Sequence, residues 1–215
     1  MSKSLIIIDE LSPLFLEIIS NKQLHVINLS NKENIDNHAQ YSILYDFSSA
    51  EKQKKLQLYS SFAQDTKIFA DLTCEPVEDF TKKFPNIVFV FSHLFLNESR
   101  NIECRLFNDN QLSLDFFQNL NIKLTPITVP TTVGFIYPRI ISMIMNEATF
   151  LVNENIASTE DINKAMIYGV NYPSGPLDWL SKKEHLVARL LNNLFLITND
   201  RRYELSPYLM KWSTP

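Results

Sequence analysis

Three glycines, Gly134, Gly169 and Gly175, are all that this chain of 215 residues contains, so none occurs in the first 133 positions. Glycine alone takes a positive φ without strain and lets a neighbouring backbone or a phosphate come close. Turns of that kind before residue 134 must therefore be made by Asn, Asp or Ser, and few are expected. Whatever fold the first part adopts, it does without glycine-dependent loops.

Within that part, short β-branched or aromatic runs alternate with amphipathic stretches, the pattern of an α/β domain built on a mostly parallel sheet. The strands are expected at Leu5 to Ile8, Leu24 to Leu29, Tyr41 to Phe47, Lys67 to Leu72, Ile87 to Phe91, Ile102 to Phe107 and Ile122 to Val129. Between them, Leu14 to Ile19, Glu51 to Phe62, Pro76 to Phe84 and Leu112 to Leu120 carry apolar residues at helix spacing, with charged residues opposite. The aromatics of the last stretch, Phe116 and Phe117, read as core.

From Val133 the strands stop. Pro126, Pro130, Thr131, Thr132 and Gly134 make a linker or turn, and Phe135 to Glu154 reads as one long helix with Ile140, Ile141, Ile144, Met145, Ala148 and Leu151 on its apolar face. Ser158 caps a second helix with Asp161 in its first turn, and Gly169 is expected to stop it. After the turn Tyr172 to Pro176, Leu177 to Ile197 reads as another long helix. Ser206 and Pro207 open a short final one. Two domains follow, 1–132 and an all-α domain 133–215.

The formal net charge of -4 provides no basic face for phosphates, which sets nucleic acid aside. The apolar run Leu5 to Ile8 is too short for a signal core or a membrane span, and a cytoplasmic protein is expected. Cys74 and Cys104, the two cysteines, have neither the spacing of a zinc site nor that of a disulfide framework. His25, His38 and His185 carry no local motif, and no metal is expected.

The order Gly134-Phe135-Ile136, Arg139, Asn146-Glu147-Ala148, Thr159-Glu160-Asp161-Ile162, Ala165-Met166, Gly169 and Tyr172-Pro173-x-Gly175-Pro176 resembles the C-terminal helical domain of the 3-hydroxyacyl-CoA dehydrogenases. Arg202-Tyr203 and Ser206-Pro207 extend the likeness to about Leu209. The resemblance implies a Rossmann-like N-terminal domain, a homodimer formed through the helical half, and a place in fatty acid metabolism. It also implies an NAD cofactor held by a glycine-rich turn after the first strand. Here Leu5 to Ile8 is followed by Asp9, Glu10, Leu11, Ser12 and Pro13, whose carboxylates repel phosphate. Asn28 stands near the place of the acid that takes the adenosine ribose hydroxyls. No bound cofactor is expected on this reading.

The family's chemistry further implies a histidine base, a glutamate that orients it, and a serine and an asparagine that bind substrate. Cys74 stands at the serine's place, after Ile68-Phe69-Ala70. His93, in Val90-Phe91-Ser92-His93, resembles the histidine. Counting on without a gap puts Arg105 at the orienting acid's position, and a two-residue deletion puts Glu103 there. Pro138, before Arg139, replaces the asparagine.

These departures point to a dehydrogenase-like protein that has lost NAD binding and hydride transfer while keeping an acyl-CoA or partner-binding role. An active dehydrogenase with a divergent, NAD-binding loop is the alternative. A dimerisation or interaction module without catalysis is the second.

Overall fold

The computed structural model describes residues 3–10, 12–20, 25–29, 40–96, 100–107, 120, 122–130 and 132–213. The chain forms two compact units, residues 1–135 and 136–215.

The first unit is an α/β, Rossmann-like layer structure. Its strands are β1 (Ser4–Ile8), β2 (Val26–Asn28), β3 (Ile43–Phe47), β4 (Lys67–Asp71), β5 (Ile87–Ser92), β6 (Asn101–Leu106) and β7 (Thr125–Thr128). They make one sheet in the order β2-β1-β3-β4-β5-β6-β7. Strands β1 to β5 are mutually parallel, β6 runs antiparallel to β5, and β7 is parallel to β6. The central strands are almost continuously buried because both faces of a parallel sheet are covered, which is why they read as unbroken apolar runs.

Each face has its own core. Leu5, Ile7, Leu44 and Ile68 point to the side covered by α2 (Lys52–Ser60) and α3 (Val77–Lys83), with Tyr59, Phe62, Val77, Phe80 and Phe84 packed there. Their neighbours in the period-two alternation, Ile6, Ile8, Tyr45, Phe47 and Phe69, face α1 (Phe15–Ile19) through Leu14 and Ile18. The expected helix Leu112 to Leu120 lies outside the described residues apart from Leu120, which joins this second core.

Helix α2 departs from its expected apolar docking face. Its buried side chains are Lys55 and Tyr59, four residues apart, and both reach the Asp46 carboxylate in the middle of β3. Gly134, at φ 80, and Phe135, at φ 50, form the turn that ends the unit. The Gly134 N–H donates to the Thr73 carbonyl at 3.0 Å, and Phe135 packs into the core.

The second unit is all helical: α4 (Tyr137–Asn153), α5 (Thr159–Val170), α6 (Pro176–Leu180), α7 (Glu184–Thr198), a 3-10 turn (Arg201–Tyr203) and α8 (Pro207–Met210). Ser158 caps α5 by accepting the Asp161 N–H, and Ser206 caps α8 by accepting that of Leu209.

Two expectations are corrected here. Gly169 lies inside α5, and the left-handed residue that ends the helix is Asn171, at φ 58. The stretch Leu177 to Ile197 is not one helix: Lys182, at φ 68, breaks it between α6 and α7. Among the described residues, no helix is long and apolar enough to cross a membrane.

Candidate functional site

Because β1 has β2 on one side and β3 on the other, the strand order reverses at β1, and the C-terminal ends of β1 and β3 flank a crevice of the kind where open α/β sheets bind ligands. Polar residues close it. The Asp9 Oδ2 atom accepts the Ser49 N–H at 2.6 Å and the Ser49 hydroxyl at 2.9 Å, so a carboxylate from the end of β1 occupies donors just past the end of β3. The helix that follows, α1, is five residues long. Asn28, at the end of β2, is buried.

These residues do not fit a cradle of backbone amides around a pyrophosphate. A phosphate brought to this point meets the Asp9 carboxylate, and the Ser49 amide is already engaged.

Beside this crevice lies a buried polar network. Asp46 is fully buried, and its Oδ2 accepts from Lys55 Nζ at 2.6 Å and from the Tyr59 hydroxyl at 2.5 Å. Its Oδ1 accepts from the Ser48 N–H at 2.8 Å and the Ser48 hydroxyl at 2.6 Å. Burial first, and the Asp46 charge second, push the Tyr59 phenol well above its ordinary value.

One strand further on, Asp71 at the end of β4 holds His93. Asp71 Oδ2 accepts the His93 backbone N–H at 2.7 Å and lies 2.6 Å from His93 Nδ1. Thr73 gives Asp71 its N–H and its hydroxyl, both at 2.9 Å, and its hydroxyl lies 3.1 Å from that of Ser92. Burial on its own raises the Asp71 carboxyl. The charge and hydrogen bonds of His93, aided by Lys55, outweigh it and leave Asp71 below the usual carboxylate range. An ionised Asp71 can only accept, so Nδ1 carries a proton and a neutral ring leaves Nε2 as an acceptor. At Nε2 the ring meets the Ser12 hydroxyl, at 3.0 Å.

His93 thus sits at the end of β5 with an acid behind it, but the acid is neither of the two residues weighed from sequence. Glu103 lies on β6 in register with Ser92, and Arg105 is in register with Val90, with its guanidinium over the Phe107 ring. Asp71 reaches the His93 ring because β4 and β5 are adjacent and parallel, which brings their C-terminal ends together. Cys74 is buried and outside any disulfide, and its neighbour Thr73 makes the contacts to Asp71 and Ser92. Ser12 and Asp71 were missed. The available signal was an acid inside a run of strand residues, Asp46 in Ile43–Phe47 and Asp71 in Lys67–Asp71.

In the helical unit, the residues carrying the resemblance are those that pin its segments together. Asn146 Oδ1 accepts the Ser206 N–H at 2.9 Å while its Nδ2 donates to the Glu204 carbonyl at 2.8 Å. Arg139 donates through Nε to the Tyr203 hydroxyl at 2.8 Å and lies over the Tyr203 ring. Pro138 is buried in the first turn of α4, where a missing N–H costs nothing. The unit also holds a cavity of about 350 Å³, lined by Val152, Leu177, Leu180, Glu184, Tyr208 and Lys211 among others.

Residues 134–212 match the family model described as 3-hydroxyacyl-CoA dehydrogenase, C-terminal domain. That stretch is similar to the C-terminal domain of the 3-hydroxyacyl-CoA dehydrogenases. The chain is 33% identical over 94 residues to a 3-hydroxybutyryl-CoA dehydrogenase of Clostridioides difficile, a match covering 42% of this chain and 33% of that protein. It is 41% identical over 71 residues to a 3-hydroxyadipyl-CoA dehydrogenase of Escherichia coli K12, covering 33% of this chain and 15% of the relative. These matches therefore span a third or less of the curated relatives' length.

The fold likeness extends further. The crystal structure of a (S)-3-hydroxybutyryl-CoA dehydrogenase from Ralstonia eutropha is similar over 98% of this chain and 93% of that one, with a TM-score of 0.70 at 14% identity. Among the described residues, no group of three or more His, Cys, Asp and Glu side chains is placed to hold a metal ion.

Proposed function

We propose that the protein is a 3-hydroxyacyl-CoA dehydrogenase-like protein that does not bind NAD and does not transfer hydride, and that it retains binding of an acyl-CoA or of a protein partner. The observation that carries this reading is the Asp9 carboxylate bound to Ser49 at the sheet's switch point, in a segment without a single glycine. The retained role is supported by the cavity between apolar Val152, Leu177 and Leu180 and polar Glu184, Tyr208 and Lys211.

The test is a titration with NADH followed by energy transfer from Trp179 and Trp212, with acetyl-CoA titrated in parallel by calorimetry. No NADH binding up to millimolar concentration is expected. Saturable NADH binding in the micromolar range would overturn the reading.

One observation favours the alternative of an active dehydrogenase with NAD in a divergent loop: His93 has an ionised acid behind it, as a general base requires. Oxidation of NADH that depends on acetoacetyl-CoA would decide for it. A third reading, a non-catalytic homodimer or interaction module, draws on exposed apolar side chains of the helical unit such as Leu196, Ile197 and Met210. Sedimentation of a monomer at micromolar concentration would count against it.

A further inference from the structure

Ser12, His93 and Asp71 stand in the relation of a nucleophile, its base and an orienting acid. Ser12 Oγ lies 3.0 Å from His93 Nε2, and His93 Nδ1 lies 2.6 Å from Asp71 Oδ2. Such a constellation is recognised by geometry and not by order in the chain. Its members come from the C-terminal edge of the sheet: Ser12 from the turn between β1 and α1, Asp71 from the end of β4, and His93 from the residue after β5.

The surroundings fit the roles. Asp71 accepts four hydrogen bonds through its two oxygens, which fixes it as a carboxylate and holds the His93 ring in a single tautomer. The Ser12 backbone is itself fixed: its N–H donates to the Asp9 carbonyl at 3.0 Å, and its carbonyl accepts from Phe15 at 3.0 Å. All three side chains are buried, Ser12 at 5%, Asp71 at 1% and His93 at 0%, so Ser12 is the least enclosed of them.

We propose that these three residues form a nucleophilic site that transfers an acyl group from an ester or thioester to Ser12 and then to water. In the first step Ser12 Oγ bonds to the acyl carbonyl carbon, its proton passes to His93 Nε2, and the bond to the leaving oxygen or sulfur breaks as His93 returns that proton to the leaving group. In the second, His93 takes a proton from water, the hydroxide oxygen bonds to the acyl carbon, and Ser12 departs with the proton. No redox partner enters, so the site stands on its own geometry and is independent of whether NAD binds.

The experiment treats the whole protein with a small alkyl fluorophosphonate and reads the intact mass and the modified peptide. Ser12 Oγ displaces fluoride in this reaction, and a single adduct on Ser12 is expected. The adduct should vanish in Ser12→Ala and form roughly 100-fold more slowly in His93→Gln, with circular dichroism checking that each variant is folded. Hydrolysis of p-nitrophenyl acetate and release of CoA thiol from acetyl-CoA, measured side by side, then separate an oxygen-ester from a thioester substrate. Because the labelled peptide is mapped in the unmodified sequence, misfolding of a variant cannot mask the result. Absence of an adduct on the folded protein, or an adduct at another residue that persists in Ser12→Ala, would overturn the proposal.

Discussion

The Asn163 side-chain oxygen accepts the Leu177 backbone N–H at 3.1 Å, and Gly175 is what leaves room for it. A Cβ on Gly175 would lie 2.2 Å from the Asn163 Cγ and Oδ1 atoms, although the Gly175 backbone, at φ -72, would accept any residue. Space alone excludes a side chain here.

Gly175→Ala should therefore destabilise the helical unit by about 1–3 kcal/mol, as overpacking does. Gly169→Ala should act in the opposite sense. A Cβ there meets nothing within 4 Å, and replacing a helix-interior glycine should stabilise by about 0.5–1 kcal/mol. Chemical denaturation followed by circular dichroism measures both, and equal effects of the two substitutions would contradict the packing described.

The Asp71–His93 pair makes stability depend on acid. Asp71 titrates below its ordinary value in the folded protein, so its contribution is present above the unfolded value, near about 4, and is lost as pH falls through the folded value. Asp71→Asn should cost about 3 kcal/mol at pH 7, since it removes one partner of a buried pair. The variant should also lose less stability than the parent between about pH 5 and pH 2. Urea midpoints over that range, compared between the two proteins, check the sign.

Lys55→Met should cost about 3–5 kcal/mol by leaving the Asp46 carboxylate buried without its cation. The double variant Asp46→Asn with Lys55→Met should be markedly less damaged than the sum of the single changes. A double-mutant cycle measures that coupling, and additivity would show that the pair does not act as a unit.

Cys104 should resist alkylation in the folded protein. Burial first, and the Glu103 charge to a smaller degree, carry its thiol up to about 11 against the opposing hydrogen bonds of Thr128 and Ile127, so thiolate is scarce at neutral pH. Iodoacetamide followed by peptide mapping should find Cys104 unmodified until denaturant is added.

Much of the first unit was legible because burial on both faces of a parallel sheet leaves an unmistakable record: Ile6, Ile7 and Ile8 cannot serve a surface strand. Helix α2 was legible as a helix and illegible in its docking, since Lys55 reads as a solvated charge until Asp46 is known to wait beneath it. The surroundings of His93 were harder to read than its place after a strand: an acid inside a strand run was the one hint of Asp71, which lies 22 residues away in sequence and reaches the ring only through strand adjacency. Lys182 defeated the reading of a long helix because a left-handed lysine leaves no mark in composition.

The sheet's last strand has a consequence for how the protein behaves in a crowded solution. All four residues of β7 are exposed, and Pro126, in register with Ile102, has no N–H to offer on its outer side. An incoming strand from another molecule would find an interrupted row of donors at this edge, and fibrous growth by strand addition is discouraged there by the strand's own sequence.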